Sequence, residues 1–192
     1  MAMIVAPVSC RKSSILALIG FLLTGPVSNW LIQNIGTTCI LDGPCLIPVF
    51  PGVTAPSGVL IVGFALVLRD VVHRDLGPYW ALAAIAAGGL LSAAFSPAPL
   101  MFASTTAFLL SELADFAVFA PLRRRGFFIA AFFSSLVGLV VDSGIFLMLA
   151  FGSLDYLAGQ ILGKLWMVAT TLAIWLLVRR PAEVMQSVSD QA

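Results

Sequence analysis

Four ionisable residues stand inside otherwise apolar runs of this sequence: Glu112, Asp115, Asp142 and Lys164. A charge at the centre of a bilayer costs about 3 kcal/mol on insertion scales, so such residues face the protein interior and mark substrate or ion paths. Three carboxylates against one ammonium leave excess negative charge in a low dielectric. Such a set holds a proton or takes a cationic or hydrogen-bond-donating ligand. The chemistry it suggests is recognition and proton handling. The competing account is a buried ion-pair network that only fixes helix register.

Spacing brings these residues together. Glu112 and Asp115, three apart, share one helix face. Glu112 precedes Arg123 by about eleven residues, or roughly 16 Å of helix, which places it near mid-membrane. Asp142 lies about fifteen residues into its own helix and Lys164 about nine into the last one, entered from the other side. All four can therefore meet in one central cavity. Ser134, Ser135 and Gly138 fall on the Asp142 side of their helix. Gly159 and Gly163 form a G-x-x-x-G pair that permits close approach beside Lys164, and Gln160 is one turn from that lysine. Asn29, Trp30 and Gln33 add a polar and aromatic patch in the first apolar segment. Asp70 sits in LRDVVHRDLG, where an i, i+4 pair with Arg74 is expected. Arg74 and His73 read as interfacial side chains that reach the headgroups, as Trp166 does by default.

The elements that must position these residues are membrane helices. The chain has 192 residues, 60% hydrophobic and 10% charged, against about 25% charged in soluble domains. About 20 apolar residues span a bilayer as a helix. Six segments qualify: 13–33, 56–73, 79–95, 99–119, 127–151 and 156–178. The fold class is thus all-α, an integral membrane bundle of six transmembrane helices in one domain over 1–180, with a polar tail at 181–192. Arg11 and Lys12, Arg69 and Arg74, Arg123 to Arg125, and Arg179 and Arg180 all fall on one side if both termini are cytoplasmic, as the positive-inside bias requires. A multi-pass protein of the cell inner membrane is expected. No cleavable signal is expected at the N-terminus.

The segment between the first two helices, 34–58, holds four prolines and reads as an external loop or, less favoured, a lid. It carries Cys39 and Cys45, either disulfide-bonded or as two free thiols. The net charge of +1 gives nucleic-acid binding no support. No metal-ligand spacing is present, and neither cofactor nor metal is expected. G-x-S-x-G, H-E-x-x-H and P-loop patterns are absent, so the chain reads as a transporter and not as an enzyme.

Four stretches resemble the VUT family of queuosine precursor transporters. They are LRDVVHRDLG with Asp70 and Arg74, SELADFAVFAPLRRR with Glu112 and Asp115, SSLVGLVVDSGIFLMLAF with Asp142, and GQILGKLWM with Lys164. The resemblance runs through roughly residues 55–180 in consistent order. It implies a membrane importer of 7-deazapurines, chiefly 7-cyano-7-deazaguanine. A carboxylate would accept the N1–H and N2 amine of such a base, and Lys164, Asn29 or Gln33 would donate to its O6. Asp115, Asp142 and Lys164 rank first, Glu112 behind, with Asp70 and Arg74 at the cytoplasmic edge. The expected partners are a purine-like small molecule and the lipid bilayer. An alternative makes the chain the substrate-binding subunit of an ATP-driven energy-coupling-factor-type importer, with an ATPase partner; a homo-oligomer is equally compatible. An intramembrane enzyme or a ligand-free structural bundle ranks lower.

Overall fold

Backbone groups have no water to bond in hydrocarbon, so long apolar runs fold as helices. The computed structural model describes residues 8–41, 43–96 and 98–189, with side chains placed for 13–177 apart from 42, 97 and 99. It contains six long helices: α1 (Val8–Asn34), α2 (Val59–Leu76), α3 (Pro78–Phe95), α4 (Ala98–Leu122), α5 (Phe127–Phe151) and α6 (Leu157–Ser189). Five are long and apolar enough to cross a membrane: α1, α3, α4, α5 and α6. The sixth, α2, has 18 residues like α3 but carries Arg69, Asp70, Arg74 and Asp75. It packs against α1, α3, α5 and α6, so its charges are covered by protein. The last helix runs on to Ser189, through the stretch set apart as a polar tail.

The chain is not wholly helical. Between α1 and α2 lies a three-stranded antiparallel sheet in place of a loop, formed by β1 (Thr38–Cys39), β2 (Cys45–Phe50) and β3 (Val53–Pro56). Four prolines argued against strands, because proline cannot donate to a ladder. The sheet accommodates them: Pro44 and Pro51 fall between strands, Pro48 lies in β2 beyond the two residues that β1 pairs with, where the β2–β3 register slips before Phe50, and Pro56 closes β3. Because β3 takes Pro56, α2 starts at Val59, three residues later than expected. Cys39 and Cys45 face each other across β1 and β2 and form a disulfide.

Gly77 alone links α2 to α3, with φ at 97°. A side chain is strained in that left-handed region, and Pro78 then opens α3 at the position where proline suits a helix. A 3-10 turn at Arg123–Arg125 joins α4 to α5.

Apolar clusters close the bundle at both ends. Phe119, Ala130, Ala131, Val168 and Leu172 pack near the arginine loop. Ile32, Leu100, Ala103, Phe146 and Leu147 pack near the sheet. Polar and charged side chains are buried between these clusters, while Leu16, Leu23, Phe102, Phe133, Trp166 and Leu177 are exposed. Charge inside and bulky hydrocarbon outside is the distribution of a multi-pass membrane protein.

Candidate functional site

The hub of the interior is Arg69, a residue of α2 with no exposed surface. Its Nη1 lies 2.8 Å from Asp70 Oδ1. Its Nε donates to Glu112 Oε2 at 3.2 Å, and its Nη2 pairs with Asp115 Oδ1. Ser134 of α5 reaches Asp70 Oδ2 at 3.4 Å. Gly138 lets α5 come close here, since a Cβ on it would stand 3.0 Å from that of Asp115. One guanidinium thus ties α2 to two carboxylates of α4. Bidentate, multi-donor geometry of this kind is what arginine offers and lysine does not.

A second cluster centres on Lys164 of α6. Its ammonium donates to Asp142 Oδ2 at 2.5 Å, Gln160 Oε1 at 2.6 Å and Ser143 Oγ at 2.8 Å. All three ammonium donors are engaged. Asp142 also accepts from Ser111 of α4 at 3.4 Å. The α2–α6 crossing is close because Gly63 lies on the Lys164 backbone, where a Cβ would stand 2.6 Å from the Lys164 carbonyl oxygen. Gly159 and Gly163 do permit close packing, but against Thr54 of β3 and against Val49 and Val59. Their partners are the sheet and the start of α2.

Between these clusters and the sheet lies a cavity of about 40 Å³. That is far below the volume of ligand sites, so seating a bicyclic base requires the walls to part. Glu112, Asp142, Lys164 and Gln160 form its charged wall. Asn29, Ser28, Ser92, Ser104, Phe108 and Phe146 also line the cavity. Asn29 is held by Ser96 at 2.6 Å and by Ser104 at 3.0 Å. Pro56 and Gly58 place the end of the sheet at the rim.

The expected site residues divide into three groups. Glu112, Asp142, Lys164 and Asn29 line the cavity. Asp70 and Asp115 are fully buried beside it, on Arg69. Gln33 is exposed and Arg74 lies outside the cavity lining. The expected Asp70–Arg74 pair is replaced: Asp70 takes Arg69, and Arg74 binds Asp75 at 2.6 Å. The Arg74 guanidinium stacks on Phe127 and Trp175, 4.7 and 4.5 Å from their ring centres. A one-residue offset turns a helical side chain by about 100°, enough to hand Asp70 to the neighbour already facing the core. His73 is buried against the rings of Phe116 and Phe119 and does not snorkel.

Sequence reasoning sets Arg69 about two turns inside the cytoplasmic boundary and gives it no site role; the structure places it at the centre. Among the described residues no cluster of His, Cys, Asp and Glu could hold a metal ion.

Residues 89–179 match the model of a family described as "putative vitamin uptake transporter". That stretch carries Glu112, Asp115, Asp142 and Lys164 and stops short of Arg69 and Asn29. No curated protein and no solved structure matches the chain.

Proposed function

We propose, from the likeness of residues 89–179 to that transporter family, that the chain is a small VUT-type carrier importing a purine-like queuosine precursor, 7-cyano-7-deazaguanine or a related 7-deazapurine, across the inner membrane. One observation carries this reading: a single cavity is lined by a carboxylate, a lysine–carboxylate pair, two side-chain amides, serine hydroxyls and aromatic rings. A guanine-like base has complementary edges. Its N1–H and N2 amine suit Glu112, whose Oε2 is the longest-held of the Arg69 partners at 3.2 Å. Its O6 suits the amide N–H of Gln160, whose Oε1 is already taken by Lys164, and Asn29 with its serines suits the five-membered ring. Phe108 and Phe146 offer faces for the base. Glu112, ranked behind Asp115 on sequence grounds, becomes the first candidate.

Orientation is supported by two independent features. The disulfide lies in the sheet at one end, and disulfides persist in oxidising compartments. Arg123, Arg124 and Arg125 lie at the other end, where the positive-inside bias puts the cytoplasm. The part of the cavity lined by Pro56 and Gly58 then lies on the outer side.

The test is rescue. Cells unable to make queuosine precursors are given this chain and low external 7-cyano-7-deazaguanine. Queuosine in tRNA is the expected result; unmodified tRNA despite confirmed membrane expression overturns the substrate assignment. Uptake that survives a protonophore but ends on ATP depletion points to an ATPase-linked importer.

A further inference from the structure

We infer that Glu112 is a partner-exchanging carboxylate, which couples occupancy of the cavity to a latch that Arg69 forms beneath it. The inference rests on the carrier reading above.

Glu112 belongs to both assemblies. It lines the cavity and accepts a hydrogen bond from Arg69. Ala65 lines the same cavity, and Arg69 follows it by one turn of α2, about 6 Å further from the sheet. The latch therefore lies directly under the cavity floor, on the side of the arginine loop. It ties α2 to α4 through Glu112 and Asp115 and approaches α5 through Ser134. A path from the cavity to the arginine-loop end has to part these helices.

Arg69 has three carboxylate partners, and they are unequal. Asp70 is its sequence neighbour on the same helix, so that contact binds nothing across the bundle. Asp115 and Glu112 make the cross-helix ties, and Glu112 is held at the longest distance of the three. Release of Glu112 leaves the guanidinium with Asp70 and Asp115, so its charge stays compensated and the cost is small. Release of Asp115 has no such return, because Asp115 does not line the cavity and has no ligand to turn to. A ligand with paired N–H donors competes with Arg69 for Glu112 alone. Taking it removes one of the two α2–α4 ties, and a ligand shifts a conformational equilibrium only through such a difference in contacts.

The latch can be read without measuring transport. Ser135 is fully buried and adjoins Ser134 on α5, at the level of the latch itself. In a chain with Cys10→Ser, a Ser135→Cys reporter is exposed to a hydrophilic maleimide in open membrane fragments. Glu112→Gln is expected to label about tenfold faster than the parent, the change that loss of a charge-assisted hydrogen bond brings to a local opening equilibrium. Added 7-cyano-7-deazaguanine is expected to accelerate the parent and leave Glu112→Gln unchanged. Acceleration by Glu112→Gln with no response of the parent to the compound upholds the latch and overturns the substrate assignment. Equal slow labelling of the parent and a normally inserted Glu112→Gln overturns the latch. Where Glu112→Gln fails to insert, Glu112→Asp is read in its place. It keeps the charge but is one methylene shorter, so it labels faster than the parent if the latch exists, and equal labelling overturns it.

Discussion

Lys164→Met separates two accounts of the α6 cluster. Methionine keeps the apolar stem and removes the ammonium, so the contacts to Asp142, Ser143 and Gln160 are lost together. If these are only hydrogen bonds, three at the membrane average of about 0.6 kcal/mol sum to roughly 2 kcal/mol. If the decisive effect is charge, Asp142 becomes an uncompensated buried carboxylate and the loss is about 3–5 kcal/mol. Burial of the Asp142 side chain, 11% exposed, favours the larger figure. The assay is reversible unfolding in bicelles, comparing Lys164→Met with Lys164→Met plus Asp142→Asn. Asparagine removes the stranded charge, so the double variant is expected to recover most of the loss and to lie within about 1–2 kcal/mol of the parent. A loss of 3–5 kcal/mol is a shift of two to three powers of ten or more in the folding equilibrium, so the two accounts do not overlap in the data. A double variant no more stable than the single one refutes the charge argument.

Gly63→Ala places a Cβ against the Lys164 backbone and is expected to cost about 1–3 kcal/mol, read as a fall in thermal midpoint; Gly144→Ala, where nothing lies within 4 Å, is expected to leave the midpoint unchanged or raise it. Asp115→Asn removes a tie of the Arg69 latch without altering the cavity lining, so membrane abundance should fall, by about 1–3 kcal/mol of stability, and the apparent affinity of the remaining protein for the compound should fall too, because Arg69 then leans harder on Glu112. Gln33→Ala changes an exposed residue outside the cavity, and precursor rescue should stay within about twofold of the parent; a large loss would place the site nearer the membrane surface. Asn29→Ala removes an amide from the lining and its bonds to Ser96 and Ser104, so rescue should need about tenfold more external compound, consistent with one lost hydrogen-bonding group.

Helices were legible from the sequence because apolar length is a local property. The predicted 127–151 segment is α5, and the predicted start of α3 is one residue from Pro78. The sheet was not legible, since its stability comes from pairing across the 39–45 hairpin and from seating on α1 and α6, and prolines masked the strand pattern. Glu112 and Asp115 were correctly expected on one face, and both reach Arg69. Arg69, two turns inside the boundary, was counted only among the basic residues of one side. A basic residue there snorkels or pairs inward depending on what its neighbours present, and neighbours two helices further along the chain are not local information.

The sequence by itself determined the class and the currency of this protein: a membrane helix bundle whose cost in buried charge must be met inside, because no arrangement of so apolar a chain exposes those groups to water cheaply. The tertiary structure alone decided how the charges divide. It sent Asp142 and Lys164 to the cavity, Asp70 and Asp115 to Arg69, and Glu112 to both. Helical periodicity sets the direction of each side chain, but only the packing of α2, α4, α5 and α6 at glycine contacts sets which directions converge.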